Sequence, residues 1–149
     1  MSPLRFRSGQ IHLRKFRIES TTVVEPGTLV CLVADHIVPA DSLATAAEVA
    51  ASFAGVAHGR SEAGQTAAVS VDVSPLAVYE AAVDAAGYEV GDLLAVDLTA
   101  TAGNTLAAAA SPDEAIAMAA EFTDSATRLR LTFASTACTA ANHSVSQVG

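Results

Sequence analysis

Between residues 21 and 133 the apolar positions come in short runs separated by turn residues. Glu25-Pro26-Gly27 precedes a continuous apolar run over 28–33, and a second run, 53–57, is followed by Gly59 and Glu62-Ala63-Gly64. Gly55, Gly59 and Gly64 are read as turn residues. Val69, Val71 and Val73 alternate with Ser70, Asp72 and Ser74, while Leu129, Leu131 and Phe133 alternate with Arg128, Arg130 and Thr132. That second alternation puts Arg128 and Arg130 on one face. Residues 88–92 lead into a strand-like stretch over 93–98, apolar but for Asp97, and Gly103-Asn104 marks a further turn. Successive strand side chains point to opposite faces, so a period of two with one apolar set marks a half-buried strand. Several such strands predict a mainly β single domain, a small barrel or sandwich. Its expected core is Leu29, Val30, Leu32, Val56, Val69, Val71, Leu94, Val96, Leu129, Leu131 and Phe133.

Three alanine-rich stretches compete with that reading, because alanine is the best helix former. Residues 42–52 suit a helix with Leu43, Ala46, Ala47 and Ala50 on one face, and 75–86 suits helix or strand. Ser111-Pro112-Asp113-Glu114 has the N-cap serine, N1 proline and N3 glutamate of a capping box. Against a helix there, a hairpin of 115–121 with 127–133 across Thr123-Asp124-Ser125 would give the last strand a neighbour.

Composition narrows the class. The 149 residues are 51% hydrophobic but only 5% aromatic, and 33 are alanine, so the hydropathy comes from small side chains. No run approaches the roughly 20 apolar residues of a bilayer span, and no secretory signal is expected at MSPLRFRSGQ. Cytoplasmic synthesis is the expectation. The net charge of -8 conceals a division. Residues 1–17 hold Arg5, Arg7, Arg14, Lys15 and Arg17 with no acid, whereas the remainder holds three arginines against all sixteen acids. An acidic body with few aromatics disfavours nucleic-acid binding. Ile11, Leu13 and Lys15 alternate with His12, Arg14 and Phe16, so the basic segment reads as an extended arm able to add a strand to a partner's sheet. Its removal is expected to leave the body folded. A solvated tail is the plainer reading of the same residues, and the tail 134–149 lacks patterning.

Catalytic and metal signatures are not found. Cys31 and Cys138 stand far apart without a CxxC, and Cys31, inside an apolar run, reads as a buried small hydrophobe. His12, His36, His58 and His143 have no metal-ligand spacing. Asp35-His36 with Asp41-Ser42 supplies the letters of a Ser-His-Asp system without the geometry that defines one. Asp92 and Asp97, five apart, fall on opposite faces of a strand. The expectation is a protein with no cofactor, no metal and no enzymatic activity.

The order of the motifs, VEPGTLV over 24–30, FAGVA over 53–57, EAGQTAAVSV over 62–71, LAVY over 76–79, YEVGDLLAVD over 88–97 and ATRLRLT over 126–132, resembles the capsid decoration (cement) proteins of tailed bacteriophages. The resemblance spans about 21–133. It departs at 75–78, where Pro75 stands in place of a Gly-Val-Phe phrase, and in the arm and tail, which have no counterpart. It implies a small β-barrel or β-tulip-like domain with short helical segments, and it favours a strand over 115–121. It divides the chain into an arm (1–20), a decoration domain (21–133) and a polar tail (134–149). The implied role is a virion structural protein on the outer capsid surface, a homotrimer bound to the major capsid protein, with no membrane or direct nucleic-acid partner. Joined to the charge division, it makes the arm the capsid-binding element: Ile11, Leu13 and Phe16 as apolar contacts, Arg5, Arg7, Arg14, Lys15 and Arg17 toward carboxylates. Other readings are a head-fibre base or tail component, and a small ligand-binding or hydrolase barrel using Asp35, His36 or Asp41.

Overall fold

The apolar runs become strands in the computed structural model, which describes residues 3–100 and 103–137. In chain order these are β1 (Arg5–Ser8), β2 (Leu13–Phe16), β3 (Leu29–Val33), β4 (His36–Pro39), β5 (Phe53–Ala57), β6 (Val69–Asp72), β7 (Val78–Tyr88), β8 (Leu93–Val96), β9 (Thr105–Ala108), β10 (Ala117–Ala119) and β11 (Thr123–Phe133). An α-helix, α1 (Ala46–Ser52), precedes β5, and 3-10 turns occupy Ala40–Ser42 and Pro112–Glu114. The chain is a mainly β single domain containing a closed five-stranded barrel.

The barrel pairs β7, β11, β10, β8 and β9 in that order and closes through a parallel contact, Ala82 opposite Thr105 and Val83 opposite Leu106. Tyr79, Ala81 and Val83 of β7 and Leu129, Leu131 and Phe133 of β11 point inward. Ala81, with Ala117 and Ala119 of β10, lets five strands close around a filled interior. β1 adds to β7 beside the seam, with Arg5 opposite Glu80.

The second sheet has the order β2-β6-β5-β3-β4. Leu29, Cys31, Phe53 and Val56 join the cluster that fills the barrel, while Val30, Ile37, Ala54, Ala57, Val69 and Val71 form a second cluster with Ile18, Val24 and Ala137. β3 and β5 are thus covered on both faces. That is why 28–33 and 53–57 read as unbroken apolar runs rather than alternations. The sheet curls until the Ile37 N–H donates to the Arg17 carbonyl at 2.9 Å. Every expected core residue is buried except Leu32, which is half-buried against the second cluster.

The alanine-rich stretches resolve differently from one another. Residues 46–52 are helical, with Thr45 accepting from the Glu48 N–H at 3.1 Å as N-cap. The inward residues are Ala46, Val49 and Ala50, with Leu43 packed beside them; Ala47, expected on that face, is exposed. Residues 78–88 are strand. The capping-box letters make a single 3-10 turn without a side-chain cap, and Ala117–Ala119 is a strand with Ala117 opposite Phe133. The hairpin does not turn at Thr123-Asp124-Ser125, however. Those residues belong to β11, and Thr123 pairs with Tyr88 of β7. Gly55 likewise is not a turn residue: it lies inside β5 at φ 151°, where a Cβ would stand 2.0 Å from the Asp72 carbonyl oxygen.

Both ends of the described residues are built into the body. Residues 5–8 and 13–16 are extended, but their partner strands are β7 and β6 of the same chain, and Leu4 and Ile18 are buried. The expectation that the segment reaches away from the body is corrected by these contacts. At the other end the Ser135 hydroxyl donates to the Ala54 carbonyl and Thr136 Oγ1 to that of Phe53 at 2.8 Å. The start of the expected loose tail is therefore tied to β5. Cys138, His143 and the rest of that tail lie outside the described residues.

Candidate functional site

The basic segment occupies the last position in both strand orders, β1 in one sheet and β2 in the other. A strand in that position presents a row of backbone groups with no strand along its outer side; on β2 that row ends where Arg17 bridges to His36 of β4. On β1, Phe6 turns toward Tyr79, with ring centroids 5.8 Å apart, and Arg5 and Arg7 are exposed. On β2, Arg14 stands opposite Val71 and Phe16 opposite Val69, so these two lean toward the second cluster. The Arg14 guanidinium lies 5.8 Å from the Phe16 ring centroid and donates to the Ala137 carbonyl at 3.3 Å. Leu13 and Lys15 share the opposite, exposed face, and Ile11 is half-buried. The alternation read from sequence holds, but the face packed on the body is the Arg14 and Phe16 face. Arg17 is engaged within the chain by an ion pair with Asp35.

Asp72, at the end of β6, holds the segment in place. Its Oδ1 accepts from the backbone N–H of His12 at 3.0 Å and of Ser74 at 2.9 Å, and its Oδ2 from the Tyr79 hydroxyl at 2.5 Å. His58 Nε2 lies 2.7 Å from the same hydroxyl. Since that oxygen gives its proton to Asp72, His58 must carry its proton on Nε2 and donate it. Burial, and then the carboxylate of Asp72, push the Tyr79 phenol well above its ordinary value. Leu4, Phe6, Gly27, Val56, His58 and Tyr79 line a recess of about 200 Å³ beside this chain of hydrogen bonds.

A second polar pair sits where β7 passes the end of β8. The carboxyls of Asp84 and Asp97 hydrogen-bond each other, raising Asp84. Asp97 is lowered, chiefly because Thr99 donates to it from both Oγ1 at 2.6 Å and its N–H at 2.9 Å. Asp92 instead accepts from the Glu89 N–H in the preceding turn. His36 lies between Glu19, 3.1 Å from its Nε2, and Asp35, 3.5 Å from its Nδ1. Ser42 donates its hydroxyl to the Pro39 carbonyl at 2.6 Å. Asp35, His36 and Ser42 are thus each engaged locally. Cys31 is buried, and burial raises its thiol to about 11. Among the described residues no three His, Cys, Asp or Glu side chains are placed to hold a metal ion, and no helix is long and apolar enough to cross a membrane.

No family model and no curated protein matches the chain. The surface is therefore read from its residues. Sequence reasoning separated the basic segment from the acidic body, yet missed Asp72, Tyr79 and His58. Asp72 sat in the polar half of an alternation and Tyr79 in a stretch open to helix or strand. Only the pairing of β2 with β6 and the packing of β7 bring them together. The Asp84 and Asp97 pair has no sequence signal either, because it depends on the closure of the barrel.

Proposed function

We propose that the protein is a decoration, or cement, protein of a tailed-phage capsid: a virion structural protein bound to the outer surface of the head through the major capsid protein. The observation that carries this reading is the placement of the basic segment in the outermost strands of both sheets. A compact acidic domain thereby offers positively charged, strand-ready edges to another protein, and β-strand addition supplies backbone hydrogen bonds while charge steers the approach. The motif order over 21–133 supports the same reading. Arg5, Arg7, Leu13 and Lys15, exposed on β1 and β2, are the residues offered to the shell, with three copies around a local three-fold. Binding rather than catalysis is the proposed activity. A contact of about 800 Å² per partner is an ordinary specific interface, and hundreds of them would stabilise the assembled shell by mass action.

The test is co-sedimentation of the purified chain with undecorated heads of the phage that encodes it, followed by cryo-electron microscopy. Saturable binding, with density outside the shell, is the expected outcome. A chain that stays in the supernatant with heads, or that binds isolated tails instead, overturns the reading. Monomers on the shell would refute the three-copy arrangement alone.

A further inference from the structure

Register and topology assemble a second basic feature that neither the arm nor the body shows by itself. Glu80 on β7 stands opposite Arg5 on β1 and also opposite Arg130 on β11, so the three side chains share one row on the outer barrel face. Arg128, two residues along β11, places its Nε 3.2 Å from Glu80 Oε1. Arg7 follows Arg5 at an irregularity in the β1 pairing. Four of the chain's eight basic residues thus gather around Glu80 on an acidic protein. Glu121 lies at the border, accepting from the Arg130 N–H at 3.0 Å. Further along the two strands, the exposed Asp84 and Asp124 end the patch. The carboxyl of Glu80 is held below the usual carboxylate range, first by its bond to Arg128 and then by the charges of Arg128, Arg7 and Arg5.

We propose that this face, Arg5, Arg7, Arg128 and Arg130 around Glu80, is a docking surface for an extended acidic segment of a partner protein. Alternate residues on a strand are about 7 Å apart, so Arg128 and Arg130 match acidic side chains at every second position of an extended segment laid along β11. Guanidinium groups take carboxylates in bidentate fashion. A nucleic acid would want aromatic platforms beside the charge; Phe6 packs its ring against Tyr79 while staying partly exposed, and Phe122 is exposed beyond Glu121, so an oligothymidylate is the competing probe. The inference goes beyond the capsid reading: it assigns the chemistry of the contact and includes two β11 residues outside the arm.

The probe is a fluorescently labelled oligoglutamate of about 20 residues, titrated with the full chain near 0.01 M ionic strength, where the Debye length is about 30 Å. Saturable, salt-sensitive binding is expected despite the chain's negative net charge. Arg128→Ser with Arg130→Ser should weaken it roughly tenfold or more. With the variants compared at 0.1 M ionic strength, where the Debye length is about 10 Å, Arg14→Ser with Arg17→Ser, on the other sheet, should change it by less than about twofold. Glu80→Gln should tighten binding by removing the competing carboxylate. The proposal is overturned by an absence of binding, by equal losses from the two double variants, by weaker binding of Glu80→Gln, or by tighter binding of a labelled oligothymidylate of similar length. Because no capsid enters this assay, its failure is distinct from failure of the co-sedimentation test.

Discussion

Asp72 of β6 accepts the hydroxyl proton of Tyr79 of β7 at 2.5 Å, and this bond joins the two sheets at the point where the basic segment crosses between them. The same carboxylate receives the His12 N–H, so one buried acid fixes the barrel, the second sheet and the connection between β1 and β2. Removing the phenol hydroxyl leaves Asp72 Oδ2 without this donor and His58 without its acceptor. Tyr79→Phe should cost about 2 kcal/mol in urea unfolding, the penalty of losing a buried charge-assisted bond. An unchanged midpoint would show that the bond contributes nothing net.

Alkali should unfold the protein partly through the same group. The folded chain holds the Tyr79 proton well above 10, the ordinary value at which the unfolded chain releases it. Stability from this residue is therefore full below pH 10 and declines as pH rises further. Cys31, raised from 9.0 to about 11, adds to the decline between those values. The urea midpoint should fall as pH is raised from 9 to 11, and the combined Cys31→Val and Tyr79→Phe variant should show a flatter profile.

Gly55→Ala should be severely destabilising, by about 3 kcal/mol or more, because both the positive φ and the approach of the Asp72 carbonyl oppose a side chain. Gly64→Ala shares the positive φ but has no neighbour within 4 Å, and should cost less. Equal losses in a thermal denaturation series would remove close packing as the cause at Gly55.

Deleting residues 1–17 should damage the fold itself. The deletion takes a strand from each sheet, removes buried Leu4 and uncovers the cluster against which Phe16 packs. A fall in Tm of about 10 °C or more, with faster proteolysis, is expected. Loss of partner binding on truncation must therefore be compared with point variants such as Arg5→Ser and Lys15→Ser that keep the strands.

Asp84→Asn should raise stability slightly at pH 7 and not at pH 3. Its carboxyl is raised by its bond and proximity to Asp97, so ionising both destabilises the folded chain once pH exceeds the raised value. Exposure to solvent keeps the effect small. Urea midpoints at the two pH values decide the matter.

Strands were legible wherever one or both faces carried a consistent apolar set, as at Leu129, Leu131 and Phe133 or in the run through Leu29 and Val30. Local chemistry misled where tertiary contacts outweighed it. The letters at Ser111 to Glu114 favour a helix, but Ala117 and Ala119 complete the barrel interior, and that burial draws the chain into a strand after one 3-10 turn. Gly55 looked like punctuation because a sequence does not show which backbone will pass beside it. The face of β2 that packs inward could not be read either: Arg14 lies there because its stem covers Phe16 while its tip reaches the Ala137 carbonyl.

The positive charge on β2 also bears on how two copies of the chain would pair through that strand. If the free side of β2 paired antiparallel with that of a second copy, Arg14 and Lys15 would face the same residues of the other molecule, and like charges directly opposite are destabilising. Such a charged strand works as a gatekeeper against fibril growth. The outermost backbone of the second sheet is thus also the place where identical molecules would repel one another.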